Sequence, residues 1–290
     1  MTNKYALASI LFLMILISSC NKLIQDQGVP SFIHIDKINF DAGFAQGTDS
    51  AYIADAWIYI DNDLIGAYEL PATFPLLKSG TQSITIKPGV ILNGIAATRS
   101  INPFMNEINK VVNLIPDSTV NLSLSTTYVS EAKFVWNSAG QEDFEQSGIT
   151  IDSIVGSSTN IFKSKQDVYE GDFSGQIHLD NTHSYFIGAS TTNYDIPANK
   201  AGTIMEIHCK NPKTILTIGL FFDLFGGTVS KEEYLYVNSG DDWKKLYVNL
   251  TELMNKYSNA ESFKIFFSAS LPSGVSQTDI FLDNIKLIHF

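Results

Sequence analysis

The feature that most restricts this chain's fold is a period of two in its apolar residues. Phe32-Ile33-His34-Ile35, Ala56-Trp57-Ile58-Tyr59-Ile60, Gln82-Ser83-Ile84-Thr85-Ile86 and Val120-Asn121-Leu122-Ser123-Leu124 all alternate. Successive side chains of a strand point to opposite faces, so each run sets its apolar members against a core and the others away from it. Amphipathic patterns at helical spacing are scarce, while Asn, Ser, Thr, Ile and aromatic residues are abundant. That profile predicts an all-β fold of sandwich or barrel type. A chain of this length exceeds the usual single core, so two domains are expected.

The first twenty residues read differently. Lys4 precedes an apolar run from Tyr5 to Ile17, followed by Ser18, Ser19 and Cys20. The run is short of the roughly 20 residues that cross a bilayer as a helix, but it suits the apolar region of a signal peptide. Ile17-Ser18-Ser19-Cys20 resembles the lipobox of bacterial lipoproteins, in which the cysteine thiol receives a diacylglycerol. The resemblance implies a signal peptide over residues 1–19, covalent lipid on Cys20, and a short tether over residues 20–30. It also implies a lipid-anchored place at the outer membrane, on a face left open. Some Bacteroidota lipoproteins carry an acidic cluster just after the cysteine that directs them to the outer face, and here only Asp26 is acidic.

Removing residues 1–19 takes Lys4 from the 19 bases and nothing from the 30 acids, which leaves a net charge of −12. Such a body is repelled by phosphate backbones and gains nothing from counterion release, so nucleic acid is excluded as a partner. With Cys20 committed to lipid, Cys209 has no disulfide partner. In Met205-Glu206-Ile207-His208-Cys209 it alternates with Met205 and Ile207 and reads as a small buried apolar residue.

Residues 31–128 form the first expected domain. Asp61-Asn62-Asp63 supplies residues that accept a left-handed backbone and close a hairpin. Ile58-Tyr59-Ile60-Asp61-Asn62, Gly66, Leu70-Pro71 and Lys78-Ser79-Gly80 together resemble the PEGA-like small β-sandwich modules of bacterial envelope proteins. The stretches Tyr68–Pro75 and Asn93–Arg99 are also similar to the first domain of Bacteroidota lipoproteins of unassigned role. In the second expected domain, residues 129–290, Asp143-Phe144-Glu145-Gln146-Ser147-Gly148 and Asp279–Leu287 resemble the two ends of galactose-binding-like jelly rolls. That fold is shared by many carbohydrate-binding modules. Asp242–Leu250 resembles their late strand, with Trp243 read as core, and one short helix is expected over Thr251–Tyr257.

No catalytic constellation stands out. The five histidines are scattered and read as surface or cross-strand residues. No Gly-x-Ser-x-Gly elbow, phosphate-cradling loop or cysteine pair is present. Carboxylates are plentiful, yet glycoside hydrolysis needs two of them about 5–10 Å apart across a sugar, and turn residues account for those seen. The jelly-roll resemblance implies one structural Ca2+, held by Glu145, Asp172 and Asp283; the competing reading is that Asp283 hydrogen-bonds a neighbouring loop.

For sugar, an exposed aromatic face is needed. Tyr185, Phe186 and Tyr194 lie among Asn181, Thr182, Thr191, Thr192 and Asn193 and form the best local candidate. Phe104, in the apolar loop Ile101–Met105, either docks on another protein or folds back on its own sheet. The chain is therefore expected to be a non-catalytic outer-membrane lipoprotein docking on a protein complex of assembly, secretion or uptake. The alternative is a glycan-binding surface lipoprotein.

Overall fold

A computed structural model describes residues 28–196 and 202–290 of the 290-residue chain. Among them the fold is all-β with one short helix, as expected. Cys20 and the signal-like segment lie outside the described residues.

The first sandwich contains β1 (Ser31–Phe40), β2 (Asp55–Ile60), β3 (Asp63–Glu69), β4 (Ala72–Leu76), β5 (Gly80–Ile91), β6 (Arg99–Ile101), β7 (Ile108–Leu114) and β8 (Thr119–Thr126). One sheet runs β4-β1-β8, with β1 and β8 parallel, and the other runs β3-β2-β5 with β6 and β7 both paired to β5. The alternation does what it predicts. Ile33, Ile35, Ile58, Ile84 and Ile86 are wholly buried between the sheets, while His34 points away and meets Thr73. Asp61 and Asn62 both adopt left-handed backbone (φ 53° and 68°) and join β2 to β3. A two-residue turn of this hand matches the twist of the strands it connects.

The second sandwich contains β9 (Lys133–Phe134), β10 (Gln141–Glu142), β11 (Ile151–Ser153), β12 (Ile161–Ser164), β13 (Ser174–Asp180), β14 (Tyr185–Ser190), β15 (Thr203–Asn211), β16 (Leu216–Leu224), β17 (Thr228–Val237), β18 (Gly240–Asn249), α1 (Thr251–Lys256), β19 (Ala260–Ser270) and β20 (Gln277–His289). Its front sheet has the order β12-β13-β20-β15-β18, with β9 and β10 also on β20. Its back sheet has the order β11-β14-β19-β16-β17. Every pairing in both sheets is antiparallel, and strands distant in sequence lie side by side, which makes the architecture a jelly roll. Trp136, Phe144, Ile207, Phe222, Phe263, Phe267 and Leu282 fill the space between the sheets.

Cys209 lies in this core with no exposed surface, and burial pushes its thiol up to about 12. It is the small apolar residue that its alternation predicts.

The outer face of the front sheet is not left to solvent. Ile204, Tyr247 and Ile288 project from it into a second apolar cluster with Val90, Phe104, Met105 and Tyr128. The sandwiches are also joined by backbone. Leu92 forms a parallel bridge with Tyr247, and Asn93 donates its N–H to the Tyr247 carbonyl at 2.8 Å. In turn, the Asn249 N–H donates to the Asn93 side-chain oxygen at 2.9 Å, and the Tyr52 N–H donates to the Tyr247 hydroxyl at 3.0 Å.

Candidate functional site

Between the sandwiches the outer face of the front sheet carries charge as well as apolar surface. On β15, Met205, Ile207 and Cys209 point into the jelly-roll core, so Glu206 and His208 must point out of it. Both are buried all the same, beneath the first sandwich. Glu206 Oε2 lies 2.8 Å from Lys245 Nζ, and Oε1 accepts from the Tyr128 hydroxyl at 3.0 Å. Lys286, also buried, donates to the Thr48 carbonyl at 3.2 Å. The loop carrying Thr48 can press so closely because Gly47 has φ +85° and no Cβ; a Cβ there would collide with the Lys286 and Gln141 side chains.

The electrostatics follow from this packing. Burial alone would push the Glu206 carboxyl up, but Lys245, Lys286 and the Tyr128 hydrogen bond outweigh it and hold the group below the ordinary carboxylate range. Burial, reinforced by the same two lysines, pushes His208 down to about 2, so its ring is neutral. Burial also lowers Lys286 to about 8.

At the edge of this buried set, a groove of about 430 Å³ opens along the seam. The first sandwich contributes Ser50, Tyr52 and Ile91, and the second contributes Tyr169, His208, Trp243, Lys244 and Lys245. One face of the Tyr169 ring stacks on His208 with centroids 3.7 Å apart, and Trp243 meets Tyr169 edge-on at 5.7 Å. The Ser50 hydroxyl ties the two halves together, lying 2.9 Å from the Tyr169 hydroxyl and 3.1 Å from His208 Nε2. Tyr169 nevertheless retains 40% of its surface in contact with solvent, and Trp243 is half-buried. The indole is fixed in place by its Nε1–H, which donates to Asp167 at 2.8 Å, while Asp167 also takes Lys210 Nζ at 2.6 Å.

Tyr169 sits on the loop between β12 and β13, and two carboxylates hold that loop. Glu145 Oε1 accepts the N–H groups of Asp172 and Phe173, both at 2.8 Å. Asp283 Oδ2 accepts those of Tyr169 and Glu170, both at 3.3 Å, and Oδ1 accepts that of Asn284 at 2.9 Å. Burial pushes Asp283 up to about 7, against the pull of these amides.

The expected calcium ligands are thus engaged otherwise. A hard cation needs oxygen lone pairs turned toward it, whereas the carboxylates of Glu145 and Asp283 face N–H donors, whose positive ends a cation would repel. Among the described residues no group of three His, Cys, Asp or Glu side chains is placed to hold a metal ion, and Glu145, Asp172 and Asp283 do not fit one. The competing sequence reading, in which Asp283 bonds a neighbouring loop, describes the contacts found.

The expected aromatic contact residues are also placed differently. Tyr185 and Phe186 belong to strand β14 rather than to a loop, so they face opposite ways. Phe186 is wholly buried in the jelly-roll core, and Tyr185 is half-buried on the outer face of the back sheet beside Phe266 and Phe221. Tyr194 is buried in the core too, with its hydroxyl donating to the Trp136 carbonyl at 3.0 Å. Phe104 is completely covered between the sandwiches, its ring 4.7 Å from that of Phe290. Its loop does dock on a partner surface, but the surface belongs to the same chain. Phe186, Tyr194 and Phe104 therefore present no ring to a ligand. Trp243, expected in the core, stands outside it at the groove. Its parity with Tyr247 and against Leu246 and Val248 was the sequence signal for that position.

The fold and site define a two-sandwich β protein with an aromatic groove at the seam. No protein-family model and no curated protein matches the chain. Among solved structures, it is similar to the C-terminal family 22 carbohydrate-binding module of Clostridium thermocellum Xyn10B at 12% identity, over 51% of this chain and 92% of that one, with a TM-score of 0.39. It is similar to the CBM22-1 xylan-binding domain of Paenibacillus barcinonensis Xyn10C at 14% identity, over 51% and 91%, with a TM-score of 0.39. A structure of carbohydrate-binding modules from the β-sandwich superfamily aligns over 90% of this chain and 99% of its own, at 12% identity and a TM-score of 0.37. These are likenesses of outline, and what the groove binds is argued from its own residues.

Proposed function

We propose that the chain is a non-catalytic glycan-binding lipoprotein, tethered to the outer membrane through lipid on Cys20, with a polysaccharide strand seated in the seam groove. The observation that carries the reading is the pair of Tyr169 and Trp243. Both rings are fixed by hydrogen bonds, both keep exposed surface, and both line a groove of a size suited to a short run of sugar rings. The flat face of an aromatic ring covers the apolar side of a pyranose, and the Ser50 and Tyr169 hydroxyls lie beside the rings, where they can meet sugar hydroxyls. Rings held rigid before binding lose little entropy when the ligand arrives.

The lining contains no carboxylate, so the acid pair that glycoside hydrolysis uses is not supplied by this groove, which favours binding over cleavage. The loop around Phe104, the one surface the sequence offered for docking on another protein, is consumed within the chain.

Affinity electrophoresis of the mature chain in gels containing a panel of polysaccharides tests the proposal. At least one should retard the native protein, and Trp243→Ala and Tyr169→Ala should migrate as in a plain gel while keeping the native melting temperature to within a few degrees. Native and variant proteins that are retarded alike would exclude the groove. Labelling of cells with an alkynyl fatty acid tests the anchor separately: Cys20→Ala should remain unlabelled.

A further inference from the structure

Resting on the reading that Cys20 carries lipid, we propose that the end of the first sandwich where the tether joins it is seated on the bilayer. The apolar side chains of Val29, Leu77 and Ile115 then lie in the lipid surface, and the seam groove is held away from it. Strand direction puts these three residues at one end. β1 begins at Ser31, which pairs with Leu76 at the close of β4, and the parallel strand β8 begins beside it, with Phe32 opposite Thr119. The β4–β5 and β7–β8 turns therefore flank the point where the chain from Cys20 enters the fold. Both are clipped to it: the Asp117 N–H donates to the Pro30 carbonyl at 2.9 Å, and the Ser31 hydroxyl donates to the Lys78 carbonyl at 2.8 Å. Leu77 and Ile115 lie in these turns with 72% and 55% of their surface exposed, and Val29, next to Pro30, is 60% exposed.

Three exposed apolar side chains on separate segments gain free energy when an apolar medium removes them from water. The tether's reach decides which medium that is. Nine residue steps separate Cys20 from Val29, so even fully extended they span about 30 Å at most. Lipid on Cys20 thus keeps this end beside the bilayer. Tethering makes the second contact intramolecular, so a patch too weak to hold a free protein on a membrane is sufficient here. The charges nearby give no attraction to anionic lipid, since Lys78 is paired with Asp61 at 3.1 Å and Asp63 and Asp117 are exposed acids. The seating is apolar. From this end, at Gly80, β5 runs to Ile91 in the groove lining, about 40 Å along the strand at about 3.3 Å per residue. The first sandwich is then a spacer that holds the groove clear of the head groups.

The test puts a fluorophore on single cysteines introduced into the lipidated mature chain, bound to vesicles of phosphatidylethanolamine with a varied share of phosphatidylglycerol. Cys209 is buried and Cys20 is blocked by its lipid, so neither competes for the label. Nitroxide-bearing lipids should quench a label at Leu77→Cys or Ile115→Cys. A label at Phe225→Cys, on the exposed β16–β17 turn of the second sandwich, should stay as bright as in solution. Quenching should persist in high salt and should not rise with the anionic share. Unquenched labels at residues 77 and 115, on protein that sediments with the vesicles, overturn the inference and leave the anchor standing. Equal quenching at Phe225→Cys overturns it too, as does quenching that high salt abolishes, which marks attraction between charges. Protein that takes up no fatty acid on Cys20 overturns the anchor reading and this inference with it, while sugar binding in the seam is decided separately by the polysaccharide gels.

Discussion

Residues His208 and Cys209 are neighbours on one strand and live in different media. Cys209 faces the jelly-roll core among apolar side chains, and His208 faces the seam, where it lies among Glu206, Lys245 and Lys286. The core is held by area removed from water, a term that needs no particular partner. The seam adds charges that are stable only as a set, since a buried ion left alone costs far more than its pair contributes. The same sheet therefore carries a general-purpose face and a specific one, and the groove opens on the specific one.

The contrast can be broken most forcefully at Glu206. Glu206→Ala leaves two lysines buried without their anion and should cost about 3–5 kcal/mol in denaturant unfolding. Replacing Glu206, Lys245 and Lys286 together by Met should recover most of that loss, because no charge is then stranded. A core substitution such as Phe267→Ala should cost a similar amount, but no second-site exchange of polarity should rescue it.

Next in size is the packing of the seam itself. Phe104→Ala should cost about 3 kcal/mol and raise the exposure of Trp243 to an aqueous quencher, a change that Phe267→Ala should not produce.

The pH response separates the two faces of β15. The unfolded chain binds a proton at His208 near pH 6.5, whereas the folded chain resists it down to about pH 2. Below 6.5 the unfolded state therefore gains protons that the folded state does not, so this group's contribution to stability falls as the solution is acidified. Asp283, raised to about 7, acts with the opposite sign: between about pH 4 and 7 the folded state holds the extra proton, and stability falls as pH rises. His208→Gln should therefore gain about 2 kcal/mol relative to the native chain between pH 7 and pH 5. Cys209→Ala, one residue away, should show a penalty that is flat across that range, because a thiol pushed up to about 12 does not titrate there. The smallest effect belongs to the solvated rim of the back sheet, where loss of the Lys231–Glu233 pair (3.0 Å) in Lys231→Ala should change stability by less than about 0.5 kcal/mol.

The two faces also differ in how far the sequence discloses them. Period-two runs identify Ile33, Ile35, Ile58 and Ile84 as core, the Asp61-Asn62 pair marks its turn, and Cys209 reads as buried, because strand geometry links neighbouring residues directly to a face. The seam is different in kind. Phe104 stays open between docking on another protein and folding back on its own sheet until the second sandwich is placed against it, and nothing in the local pattern around Glu206 or Lys286 tells that a second sandwich buries them. Tyr185 and Phe186, set among polar residues, read as a loop because Asn and Thr nearby suggest turns, yet pairing with β19 makes them strand. Parity does carry the position of Trp243, although the late-strand resemblance reads it as core: Leu246 and Val248 face the core, so Trp243, Lys245 and Tyr247 face away.

The central claim is that a glycan lies in the seam, on the rings of Tyr169 and Trp243. A crystal structure of the mature chain soaked with an oligosaccharide that retards it tests this most directly. The account predicts a pyranose ring stacked on Trp243 or Tyr169, between Ser50 and Lys244. A sugar found instead on the outer face of the back sheet, beside Tyr185, with the seam filled only by solvent, would contradict it.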